Sequence, residues 1–110
     1  MSMHSQQVVV ATCYNAVPEQ CNADTIHTAT MFALNLKDPY SHRIIAISRD
    51  LESKGFGMNQ TVKISGAGQY DGVWVIRDRM NKRWTNKIDF LVNVDMFVDK
   101  WENVIIEKIN

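Results

Sequence analysis

Apolar positions along this chain fall into short β-branched runs, alternating with polar residues or unbroken, and glycine, proline, asparagine and aspartate punctuate the gaps. Gln7–Cys13 (QVVVATC) predicts a first strand and Arg43–Ser48 (RIIAIS) a second, while Thr61–Ser65 (TVKIS) alternates and predicts a half-buried third. Val73–Ile76 leads into Asp78, Ile88–Val92 contains Asp89, and Trp101–Ile109 (WENVIIEKI) predicts a last strand. Helix is scarce: one turn at Leu51–Ser53 and another at Val94–Val98. Met31–Leu36 (MFALNL) fits a short strand or a helical turn equally well. Asp38-Pro39, Gly66-Ala67-Gly68 and Tyr70-Asp71-Gly72 read as turns. The Gly-x-Gly lacks the further glycine and the helix of a dinucleotide loop, so nucleotide binding is not expected.

About six strands with little helix predict an all-β domain, and a small sheet removes its exposed edges by closing into a barrel. A six-stranded barrel has room inside only for its own side chains, so a binding site must lie on its outer surface. The polar stretch Tyr14–Thr30, broken by Pro18, is the expected roof over such a site, since long excursions in compact domains tend to be functional.

Composition narrows the partners. With 110 residues the chain makes one domain, residues 1–6 reading as a flexible or tag-derived lead. Twelve Lys and Arg balance twelve Asp and Glu, and no basic-aromatic stripe appears, so nucleic acid is not an expected partner. No apolar run approaches the roughly 18 residues of a membrane-spanning helix. The first residues lack a basic and then apolar leader, which fits a cytosolic chain or a mature, trimmed one. Cys13 and Cys21 form no C-x-x-C and stand at no ligand spacing to His4, His27 or His42, so neither a metal nor another cofactor is expected. A disulfide between them and two free thiols both remain open.

The chemistry concentrates in Gly72–Val92, GVWVIRDRMNKRWTNKIDFLV, where two strand-like runs each carry an aspartate and a basic loop joins them. A carboxylate beside a buried strand must be paired, hydrogen-bonded or protonated. Asp78 and Asp89 therefore either form a site or merely pair with Arg79, Arg83 and Lys87. Trp74 and Trp101 read as packing residues, whereas Trp84 lies in a polar loop and reads as exposed. Lys82, Arg83 and Lys87 read as a solvated face.

Taken in order, Ala11-Thr12-Cys13-Tyr14, His27-Thr28-Ala29-Thr30, Ile44–Asp50, Val62–Gly66, and the eleven-residue step from Asp78 to Asp89 are similar to the motifs of the three-aspartate (3D) domain family. That family of double-psi β-barrels includes the catalytic barrel of membrane-bound lytic transglycosylase A. The resemblance spans Val8 to Ile109. It departs from the family pattern after Asp78, where Arg79-Met80 replaces a Gly-Gly pair, and after Asp50, where no I-P-L-G-T follows. The Asp78-Arg79 element also resembles the rare lipoprotein A barrels.

The resemblance implies a six-stranded double-psi barrel in the cell envelope, its leader removed, with peptidoglycan glycan strands as partner. The implied activity is lytic transglycosylation, cleaving the N-acetylmuramic acid–N-acetylglucosamine β-1,4 bond with a 1,6-anhydro product. Asp89, flanked by Ile88, Phe90 and Leu91, becomes the acid/base; Asp78 becomes its electrostatic partner, raising its pKa further. Asp50, Tyr14, Thr28 and Trp84 become substrate-binding residues. The alternative is a non-catalytic barrel that keeps the fold and binds peptidoglycan or a protein partner.

Overall fold

Regular alternation of buried and outward positions builds six strands in the computed structural model, which describes residues 6–15 and 37–109. They are β1 (Gln6–Tyr14), β2 (Ile44–Ile47), β3 (Thr61–Ser65), β4 (Gly72–Arg79), β5 (Lys87–Leu91) and β6 (Trp101–Lys108), with one short helix, α1 (Arg49–Ser53). The strands close into a barrel in the order β1-β5-β2-β4-β3-β6. The pairs β1/β5 and β2/β4 are parallel; the other four pairings are antiparallel. Exchanging β1 with β4, β2 with β5 and β3 with β6 maps every pairing onto one of the same sense. The chain thus forms the expected all-β, six-stranded barrel, built as two interlocked halves.

The interior is filled by side chains. Val9 and Ala11 of β1, Ile45 and Ile47 of β2, Val62 and Ile64 of β3, Trp74 and Ile76 of β4, Ile88 and Phe90 of β5, and Val104 and Ile106 of β6 are all buried in one cluster. Each valine, isoleucine or phenylalanine so withdrawn from water contributes about 1.5–3 kcal/mol. An aromatic group occupies one end: Trp74 and Phe90 rings are 4.7 Å apart, with Tyr70 and Trp101 packed around Phe90 at 5.4 and 5.9 Å. Trp74 is fully buried, and its indole N–H donates to the Tyr70 carbonyl at 2.8 Å. Trp74 and Trp101 therefore pack as the sequence predicts.

Arg43 closes this end, its guanidinium 3.9 Å from the Trp74 ring centroid and donating to the Tyr40 hydroxyl and the Val73 carbonyl. The strand it leans on starts at Gly72, whose φ is +129°. That φ favours glycine, and a β-carbon there would come within 2.9 Å of an Arg43 nitrogen and push the guanidinium from its seat.

Two local expectations change. Val94–Val98 is not a helical turn: a single bond from the Met96 N–H to the Asn93 carbonyl (3.0 Å) turns the chain, which then continues irregularly to Trp101. The helical turn expected at Leu51–Ser53 begins earlier, at Arg49. Met31–Leu36 and the proposed roof beyond Asn15 lie outside the described residues. No helix among the described residues is long and apolar enough to cross a membrane.

Candidate functional site

A second face of the barrel, outside the core, is assembled by four adjacent strands. In register, Thr12 of β1 lies opposite Asp89 of β5, Asp89 opposite Ala46 of β2, and Ala46 opposite Asp78 of β4. Ile88 and Phe90 point into the core, so Asp89 between them points out. With strands about 4.8 Å apart, the two aspartate backbones stand about 10 Å apart. In the sheet, the methyl group of Ala46 lies between them.

Asp78 faces out because of a β-bulge. Trp74 and Ile76 point inward, and strict alternation would send Asp78 inward as well. The pairing of β2 with β4 instead skips Arg77, passing from Ile45↔Ile76 to Ala46↔Asp78. One extra residue re-aims the carboxylate to the outer face, as bulges beside functional sites commonly do. Asp78 also accepts the N–H of Arg79 at 2.9 Å.

The same face continues one step along the strands as an apolar floor. Tyr14 pairs with Leu91, and Leu91, Ile44 and Tyr14 form a small cluster apart from the main core. The Tyr14 hydroxyl is enclosed and has no hydrogen-bond partner among the described residues. Burial pushes its phenol well above its usual range, and the charges of Asp78 and Asp89 push it further. Its hydroxyl therefore lies in the field of both carboxylates and stays a neutral donor.

Asp89 is held by the Thr12 hydroxyl, which donates to its Oδ1. Burial raises the Asp89 carboxyl above its ordinary value, against the opposing pull of that hydrogen bond and the Lys87 charge. The expected contribution of Asp78 to this rise is not among its causes; desolvation by the strands alone supplies it. No arginine or lysine among the described residues forms an ion pair with Asp89, and Arg79, the neighbour of Asp78, is engaged by Glu52 at 2.7 and 3.1 Å. The pairing of Asp89 with a loop cation, the competing expectation, does not occur.

Asp50 is placed elsewhere. Both its oxygens accept the Asn86 N–H, at 3.1 and 3.0 Å. Asn86 is left-handed (φ +53°) and fastens to β1 through its side chain, donating to the Val8 carbonyl and accepting from Gln7. Ser48, fully buried, adds an Oγ that accepts the Lys87 N–H at 2.9 Å. Asp50 and Ser48 thus fix the start of β5, the strand that carries Asp89, rather than joining the row.

Trp84 is exposed at 38 % in the loop between β4 and β5, as expected. Its ring meets cations: the Lys87 ammonium is 3.8 Å and the Arg83 guanidinium 4.9 Å from its centroid. Thr28 and Cys21 lie outside the described residues; Cys13 is a free, half-buried thiol. Among the described residues no three His, Cys, Asp or Glu side chains gather as a metal site.

Thr12 and Ser48 are the functional-side residues that sequence reasoning passes over. Thr12 stands in the same short element as Tyr14, and its position at the same parity as Tyr14 on an alternating strand is the signal that both share a face. Ser48, a polar residue ending an apolar run, carries no comparable mark.

No protein-family model, curated protein or solved structure matches this chain.

Proposed function

We propose that this barrel is a glycan-cleaving protein of the bacterial cell envelope, a peptidoglycan lytic transglycosylase with Asp89 as its acid/base, in line with the resemblance to the three-aspartate double-psi barrels. The observation that carries the reading is Asp89 itself: an outward-facing, half-buried carboxyl raised in pKa, hydrogen-bonded by Thr12, and free of any ion pair among the described residues.

Lytic cleavage suits one such group. Protonated Asp89 donates its proton to the glycosidic oxygen as the C1–O bond breaks. The resulting carboxylate then takes the proton of the same sugar's C6 hydroxyl, whose oxygen closes onto C1. The products are a 1,6-anhydro sugar and a free 4-hydroxyl, and the carboxyl ends protonated again. No water is placed, so the second carboxylate that a hydrolase positions at a set distance is not required. Asp78 then serves to bind and orient the sugar, with the electron-poor C1 passing between two carboxylates that favour developing positive charge, while Tyr14, whose hydroxyl is enclosed, supports the floor beneath rather than touching the sugar.

Purified protein incubated with intact sacculi is expected to release anhydro-muropeptides detectable by mass spectrometry, and Asp89→Asn to release none. Sacculi left intact by the wild type sink the enzymatic reading.

A specific observation favours a second reading, a glycan-binding barrel without catalysis. Where the resembled family has Gly-Gly, Met80 is buried at 6 % exposure and Arg79 is tied to Glu52, which fills space a sugar backbone would approach. Binding to sacculi without product release identifies that case.

A further inference from the structure

Lys87 and Asp89 leave β5 on the same side, flanking the inward Ile88, and only about 6.6 Å of strand separates successive residues of one face. A lysine side chain spans that distance easily, and a half-buried carboxylate without a counter-ion is an attractive partner. Yet no ion pair forms among them. The Lys87 ammonium instead sits 3.8 Å from the centroid of Trp84, and Asp89 is bonded to Thr12.

We propose that Trp84 is a positioning residue, whose ring holds the Lys87 ammonium off Asp89 and so keeps that carboxyl out of an ion pair. A cation over an indole face and a partly exposed ion pair are interactions of comparable strength, so removing the ring is enough to redirect the ammonium. The remaining groups around Asp89 cannot take its place. Among the described residues, β1 brings the Thr12 hydroxyl, the Cys13 thiol and the Tyr14 phenol; β2 brings Ala46, with Ser48 just beyond its end; β4 brings the Asp78 carboxyl; and α1 brings Asp50, already bound to Asn86. Burial pushes both the Cys13 thiol and the Tyr14 phenol up, the Asp78 and Asp89 charges adding to it for Tyr14, while at Cys13 a hydrogen bond with the Asp99 backbone opposes burial and the Asp89 and Asp99 charges. Among the described residues Lys87 is the cation that acts on Asp89, and its opposing pull is already present at its docked position. Arg83, also over Trp84, is held by the same ring.

The importance of this arrangement for cleavage rests on Asp89 being the acid/base; the placement of Lys87 does not. The test is therefore a carboxyl-carbon NMR titration of Asp89 in the full chain, independent of activity. In Trp84→Ala the Asp89 midpoint is expected to move to lower pH, and in Trp84→Phe, which keeps a ring face, to stay near wild type. Lys87→Met is expected to move it to higher pH, and Trp84→Ala/Lys87→Met to follow Lys87→Met rather than Trp84→Ala. A Trp84→Ala midpoint that is unchanged or higher overturns the proposal, as does a double variant that titrates like Trp84→Ala. In the sacculus assay, the alkaline limb of activity should shift with the same signs. A wild type that cleaves nothing refutes the enzymatic reading alone and leaves the titration result standing.

Discussion

Asp50 receives the Asn86 N–H on both carboxylate oxygens, joining α1 to the residue before β5 across 36 positions of sequence. The bond is charge-assisted and satisfies a backbone donor where the chain turns left-handed, so Asp50 acts on the site by fixing the strand that carries Asp89. Partial burial alone would raise the Asp50 carboxyl, but hydrogen bonds from Ser48 and from the Asn86 N–H outweigh it and hold it below its ordinary value. Asp50→Ala is expected to cost about 1.5–3 kcal/mol, the range for hydrogen bonds to charged groups. Urea unfolding measures it. Because the folded value is depressed, this contribution is present above the unfolded carboxylate pKa and fades as pH falls through the folded one. The gap between wild type and Asp50→Ala should therefore narrow in acid and stay constant toward alkaline pH; a gap independent of pH would count against the clamp.

Asp89 carries the opposite sign. Burial raises its carboxyl, so the folded chain binds that proton more tightly than the unfolded chain does. The resulting stabilisation is complete below the unfolded carboxylate value and is lost as pH rises through the folded value. Asparagine keeps the shape and an oxygen to accept the Thr12 hydroxyl, without a charge to desolvate. Asp89→Asn is therefore expected to gain stability over wild type as pH climbs from the unfolded carboxylate value through the folded one, and to hold that gain at higher pH. In the same protein any glycan cleavage should fall by at least about a hundredfold, the usual yield of a positioned acid/base. Gained stability together with lost activity is what a functional carboxyl shows; lost stability would mark Asp89 as structural.

Local pattern made most of the barrel legible. Thr61–Ser65 alternates in the sequence and forms β3 over those same residues, and Ile88-Asp89-Phe90 displays the inward-outward order that puts the aspartate outside. Trp84 was legible as exposed because nothing apolar surrounds it in the chain. What the pattern hides is anything that depends on register between distant segments. The bulge opposite Ile45 and Ala46 adds one residue to β4 without any glycine or change of composition to mark it, although it decides which way Asp78 points. Asp50 is likewise acidic and near a strand end, as a site residue would be, and only the pairing of α1 with Asn86 shows that its oxygens are already engaged. The occupant of the Trp84 ring, Lys87, is three residues on, but a loop turn had to bring them face to face.

Thr12 is a handle on Asp89 that leaves the carboxyl in place. Its hydroxyl favours the charged form, so Thr12→Val, nearly the same shape, removes a lowering influence and should raise the Asp89 midpoint further. If Asp89 must be protonated to cleave, the alkaline limb of the pH–activity profile moves to higher pH in Thr12→Val and returns toward wild type in Thr12→Ser. The stability cost should be modest, about 0.5–1.5 kcal/mol for one hydrogen bond. Carboxyl NMR and the activity profile must move together for this assignment; an upward NMR shift with an unmoved activity limb would place the acid elsewhere.

Trp74 tests whether the site depends on the core beneath it. Its ring is fully buried and 4.7 Å from Phe90, the residue following Asp89, while its outer side meets Arg43. Trp74→Ala removes the largest fully buried side chain among the described residues and is expected to cost about 3–5 kcal/mol, a large share of the roughly 5–15 kcal/mol that holds such a domain folded. Trp74→Phe retains most of the volume but forfeits the indole bond to Tyr70, so it should cost far less and keep the fold. Because Phe90 rests on this ring, a shift in the floor should be felt one residue along β5, at the Thr12–Asp89 contact. In Trp74→Phe the Asp89 midpoint is expected to drift toward its ordinary, lower value as packing loosens and water approaches. Urea unfolding gives the first quantity and the carboxyl titration the second. A destabilised Trp74→Phe with an unmoved Asp89 would show that the outer row is set by strand register alone, independently of how tightly the interior is filled.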